Sequence, residues 1–119
     1  MKEEVKKWIE RAKEDLKAAE NSFKSKDYNW ASFQAQQSAE KAFKALLIKQ
    51  TGKFPKIHDL VKLSILVKAP KDIITDSGRL NPTYIETKYP DLNKSYSEKD
   101  LVEFIDTAKN ILSWIEKNL

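Results

Sequence analysis

Apolar residues recur at steps of three and four along most of this chain, and no segment shows the alternation of a half-buried strand. Near the N-terminus Val5, Trp8, Ile9, Ala12, Leu16, Ala19 and Phe23 fall on one stripe. Glu3 with Lys7 and Glu10 with Lys13 stand on the polar side at supportive spacings. Near the C-terminus Leu101, Phe104, Ile105, Ala108, Ile111, Leu112 and Ile115 form a second stripe. Ser97 and Asp100 precede it as a capping box, with Asp where Glu or Gln is usual. Such stripes are stable only when each is buried against another helix, which predicts an all-α fold.

The segment between them fills in the bundle. Asp27 is placed to cap a second helix, its carboxylate accepting amides of the first turn, and Gly52 after Thr51 is placed to end it. That helix is apolar on more than one side. Ala31, Ala35, Ala39, Ala42 and Leu46 form one row, widened by Trp30, Phe33, Phe43 and Leu47. A helix of this kind is expected at the centre, touching several neighbours, with an alanine row that admits close approach. Pro55 forces Phe54 into an extended conformation. A short helix is expected near His58–Asp59, with Leu60, Leu63, Leu66 and Val67 inward and Ala69–Pro70 at its end. Asp72 to Ser77 reads as helical; Gly78 and Pro82 leave the stretch to Lys88 as one kinked helix or two fragments, in which Leu80, Tyr84 and Ile85 sit at helical spacing. Tyr89 to Tyr96 reads as a turn-rich loop. The expectation is a single domain over residues 1–119, an antiparallel bundle of about five helices around an up-and-down four-helix core.

Composition excludes several chemistries. The 119 residues contain no cysteine, one histidine and two glycines. Disulfides, thiolate metal sites and glycine-rich phosphate loops are therefore ruled out by counting, and no metal or cofactor is expected. The charged fraction of 34% is mostly lysine and glutamate, which leans toward a thermophilic source. The formal charge is +4, carried almost wholly by lysine since Arg11 and Arg79 are the only arginines. No stretch reads as a membrane span, and the start, which carries acidic residues and an amphipathic rhythm, is unlike a targeting peptide, so a cytoplasmic protein without membrane contact is expected.

The run Phe33-Gln34-Ala35-Gln36-Gln37-Ser38-Ala39-Glu40-Lys41-Ala42-Phe43-Lys44-Ala45-Leu46-Leu47 resembles the signature second helix of the HEPN family. His58-Asp59-Leu60 with Leu63 resembles the histidine that opens a short helix in that family, and Tyr84 through Lys88-Tyr89-Pro90-Asp91 its tyrosine-to-"RYPD" segment, with lysine for arginine. The three motifs occur in order and span nearly the whole chain. The resemblance implies a helical bundle that forms a homodimer. It also implies pairing with a minimal nucleotidyltransferase in a toxin–antitoxin-like system, or binding of nucleotide or RNA. Catalytic members cut RNA without metal through an arginine and a histidine four to six residues apart. Neither Arg11 nor Arg79 stands at that distance from His58; Lys53 has a comparable spacing but lies in a loop, and lysine lacks the bidentate hold of arginine on phosphate.

The expected function is a non-enzymatic binding module. One alternative is a metal-independent ribonuclease using His58 with a lysine in place of arginine; the other is a purely structural bundle. Candidate anion-binding residues are Lys44, Lys53, Lys56, His58 and Lys88, which converge if Lys88 folds back toward the end of the second helix; solvated lysines are the plainer account. Candidate interface residues are Trp30, Phe33, Gln37, Glu40, Lys41 and Tyr84. Glu40 with Lys44 is either a stabilising i,i+4 pair or part of a ligand or dimer surface. His58 is either a ligand-contacting group or a structural one, capping the short helix or bonding a backbone carbonyl. Gln36 and Gln37 are either exposed or hydrogen-bonded across an interface.

Overall fold

The structure, a computed structural model, describes the backbone of residues 2–88 and 95–119 and the side chains of all of these but 82–88. Five helices follow in order: α1 (Glu3–Lys24), α2 (Tyr28–Thr51), α3 (Leu60–Leu66), α4 (Lys71–Lys88) and α5 (Glu98–Lys117). No strand occurs among the described residues. The expected turn-rich segment falls largely on 89–94, outside the described residues, as do the side chains of Tyr84, Ile85 and Lys88.

Helix α2 is in contact with every other helix, while α5 also packs against α1 and α4, and α3 against α4. The alanine row makes this possible. Ala31, Ala35, Ala39 and Ala42 have no exposed surface, and neither do Ala12 and Ala19 of α1. With so little side chain in the seam, Ser38 Oγ reaches across to donate to Ala12 O at 2.7 Å. The core is completed by Phe43, Leu46 and Ile48 of α2, Leu60 and Leu63 of α3, Leu80 of α4, and Leu101, Ile111 and Ile115 of α5. A smaller cluster of Ala31, Tyr96 and Leu101, with Phe23, Tyr28 and Phe104, closes the end of the bundle where α2 begins.

The ends of the helices obey local chemistry, with two departures from expectation, at Asp27 and Leu66, and one alternative settled, in α4. Gly52 adopts φ +84° and terminates α2, a left-handed conformation that glycine enters without steric cost. At α5 both arms of the capping box form: Asp100 N donates to Ser97 Oγ at 3.2 Å and Ser97 N to Asp100 Oδ2 at 3.0 Å, so the shorter aspartate suffices. At α2, by contrast, the Asp27 side chain makes no cap bond, and its carbonyl accepts from Ala31 N instead. Leu66, expected inward, is 47% exposed, because a helix of only two turns on α4 buries just Leu60, Leu63 and Ser64. Finally, α4 runs without interruption through Gly78 and Pro82. Packing of this helix against α2, α3 and α5 outweighs the local preference of those two residues to end it.

Candidate functional site

The resemblance draws attention to α2, and there the structure buries charge. Glu40 is 3% exposed and Lys44 7%, one turn further along. Helical spacing brings them to one face, and Lys44 Nζ donates to Glu40 Oε2 at 3.0 Å. The ammonium also lies over two aromatic rings, 5.7 Å from the centre of Trp8 and 5.2 Å from that of Phe54. Those rings meet edge to face, 5.1 Å between centroids. A lysine tolerates this burial because its stem is apolar, its charge is paired and the ring faces are electron-rich.

His58 joins the pair from the connector between α2 and α3. Its Nδ1 lies 3.1 Å from Glu40 Oε1 and 3.2 Å from Oε2, while half of the ring (51%) stays exposed. Gln36, one turn before Glu40, donates from Nε2 to Oε1 at 3.4 Å and accepts from Gln37 Nε2 at 2.8 Å. The buried carboxylate thus collects an ammonium, an imidazole and an amide. Among the described residues no buried side-chain nitrogen or oxygen lacks a partner.

Three attachments hold the histidine in place. Phe54 is packed on Trp8 at one end of the connector. At the other, Asp59 caps α3 by accepting from Val61 N at 2.9 Å and Lys62 N at 3.3 Å. Asn81 of α4 then donates to Asp59 Oδ1 and accepts from Leu60 N, both at 2.7 Å. Burial alone would raise the Asp59 carboxyl; the hydrogen bonds from Asn81, Lys62 and Val61, with the charge of Lys62, outweigh it and hold the group below its ordinary range. So Asp59, and not His58, caps the short helix.

Of the anion-binding candidates, the structure brings Lys44 and His58 together on Glu40. Lys53 and Lys56 are exposed on the connector that carries His58. The side chain of Lys88 lies outside the described residues. Of the interface candidates, Glu40 is buried within the chain's own interior and Lys41 is paired with Asp15 of α1. Trp30 is 49% exposed and stacked on half-buried Phe33, ring centres 5.3 Å apart and planes at 19°. Gln37 is half-buried, and Tyr84 lies in the part of α4 whose side chains are not described. Gln36, open between exposed and cross-interface, is fully buried and bonded within its own helix. Sequence reasoning missed Trp8, Phe54 and Asn81; an aromatic just ahead of Pro55 was the one local hint. No group of acids and histidine able to hold a metal ion occurs among the described residues.

The helix order and the Glu40–Lys44–His58 cluster can be set against known proteins. The family model of the HEPN domain matches residues 5–118. The chain belongs to the HEPN family. A crystal structure from Thermus thermophilus superposes with a TM-score of 0.89 at 32% identity, covering 97% of this chain and 98% of that one. An archaeal HEPN homologue gives 0.84 at 35% identity, covering 99% and 98%. An HEPN domain protein from Thermotoga maritima gives 0.73 at 20% identity over 92% and 94%, a likeness of fold alone. No match was found among the curated proteins. No helix among the described residues of this HEPN protein is long and apolar enough to cross a membrane.

Proposed function

We propose that this HEPN protein is a non-cleaving binding module. In this reading it works as a homodimer, pairs with a nucleotidyltransferase in a toxin–antitoxin-like system, and binds a nucleotide or RNA. The observation that carries the reading is how the one histidine is used. His58 is held by a buried carboxylate that is itself neutralised by lysine, and no arginine stands at the spacing that metal-independent RNA cleavage requires.

The dimer has its own support. Residues 28–39 carry no charge in a chain that is 34% charged, and this uncharged half of α2 displays the Trp30–Phe33 stack. Two copies of a +4 chain repel least where they meet on a neutral face.

Light scattering after gel filtration tests the assembly, with twice the mass of one chain expected. Incubation with a panel of RNAs in EDTA tests the chemistry. Intact RNA is expected; cleavage that disappears in His58→Ala would replace this reading with the ribonuclease alternative. Co-purification of a nucleotidyltransferase from the native host tests the partner.

A further inference from the structure

Helices α1 and α5 run antiparallel and are tied toward one end by Lys13 Nζ, 3.2 Å from Glu116 Oε2. Toward the other end they part over an open groove of about 240 Å³. Buried Ile105 forms its floor, flanked by half-buried Phe23 and by Val102, which is 47% exposed. Glu20 and Lys24 of α1 stand on one rim, Asp106 and Lys109 of α5 on the other. The groove is smaller than the about 300–1,000 Å³ usual for a small-molecule site, and it fits side chains of a protein surface instead.

The charges of the rim are balanced and unused. Two acids and two bases make it neutral in a chain of net charge +4. Two helical turns along from the Lys13–Glu116 bridge, Glu20 comes level with Lys109; one turn beyond, Lys24 comes level with Asp106. Opposite signs thus face each other across the groove. Among the described residues, none of the four forms an ion pair.

We infer that a second copy of this chain docks here, groove to groove about a two-fold axis. Such a contact sets one surface against itself, so a rim of a single sign would repel its own copy. This rim does not. With the axis along the groove, α1 lies on α5 of the other copy; Lys24 then meets Asp106, and Glu20 meets Lys109. With the axis across the groove, each helix lies on its own counterpart in reverse; Lys24 then meets Glu20, and Asp106 meets Lys109. Every charge finds its opposite in either arrangement, while Val102 and Phe23 are withdrawn from water. A different protein could match a rim of one sign; only self-docking demands both signs on each rim. The contact shares no residue with the Trp30–Phe33 stack and stands apart from the dimer proposed there. With both in use, dimers pair into tetramers. Ion pairs on an open rim add little, so this contact is weak and fills only in concentrated solution.

Light scattering is read at gel-filtration dilution and again at about 1 mM, where even a weak contact is populated. The mass is expected to rise toward twice its dilute value, and no rise overturns the inference. In Val102→Glu the rise is expected to vanish; its persistence overturns the inference. Two rim variants then test the charges, with circular dichroism to confirm that both are folded. Glu20→Lys/Asp106→Lys makes the rim wholly basic, and Lys24→Glu/Lys109→Glu makes it wholly acidic. Neither is expected to associate alone, and their mixture is expected to regain the rise. A rise in either variant alone, or a mixture as inert as its components, overturns the inference. Trp30→Glu separates the two contacts: it is expected to halve the dilute mass and leave the rise in place. An unchanged dilute mass counts against the Trp30 dimer alone, whereas loss of the rise in Trp30→Glu overturns the groove as a separate contact.

Discussion

At the scale of single residues, the cluster on α2 separates charge that is buried from charge that is merely near. Glu40→Ala leaves the Lys44 ammonium under the aromatic rings without a counter-ion, which is expected to cost about 3–5 kcal/mol. His58→Ala removes a half-exposed ring and is expected to cost only about 1 kcal/mol. Urea denaturation of the two variants checks the ranking, and equal losses would mean that the ammonium finds another partner. Asp59 gives the acid limb of the stability profile a defined contribution. Its folded value is depressed below the ordinary 3.8, so its stabilisation is complete above that pH and is lost as pH falls through the folded value. Asp76 acts in the opposite sense. Burial raises it, the Arg79 guanidinium opposes and the Asp72 charge adds, so it favours the fold below its ordinary value and loses that contribution as pH rises through the raised one. Asp59→Asn retains a capping oxygen and removes the titration; stability measured from about pH 5 down to about 2 is expected to fall less steeply than in the wild type.

At the scale of the elements, the two glycines occupy opposite situations. Gly52 has φ +84°, so Gly52→Ala is expected to destabilise by about 1 kcal/mol even though no atom crowds the position. Gly78 lies inside α4, and a Cβ there would meet Val61 Cγ2 at 3.7 Å, an ordinary contact. Gly78→Ala is expected to stabilise by about 0.5–1 kcal/mol, and thermal melts of both variants check the opposite signs. The same helix marks where reading from sequence stops. The stripes of α1 and α5 were legible because each has one apolar face and a solvated one. α2 was legible as central because its alanines and aromatics leave no single polar side. The continuity of α4 was not, because glycine and proline report local preference while packing on three neighbours decides the outcome. Nor was the burial of Lys44: a Glu–Lys pair one turn apart is usually solvated, and what encloses this one arrives from α1 and from a connector beyond the end of α2.

At the scale of the whole molecule, the proposed assembly and the interior make separate demands on α2. Its first half is uncharged and buried along the alanine row, with one side, bearing Trp30 and half-buried Phe33, left open; its second half is enclosed from Ala42 to Ile48. Trp30→Glu places two like charges across the proposed contact, and gel filtration with light scattering is expected to show a shift from dimer to monomer with the helical circular dichroism unchanged. An unshifted dimer would move the contact elsewhere on the surface. The contact of α2 with all four of its neighbours also bears on how the protein comes apart. No helix can leave without uncovering the apolar surface of α2 that it covers, so partial opening gains little chain entropy for the apolar surface it wets. Amide hydrogen exchange should therefore be slowest from Ala35 to Ile48, at rates set by complete unfolding, and the native chain should offer proteases few sites within its helices until the entire bundle opens.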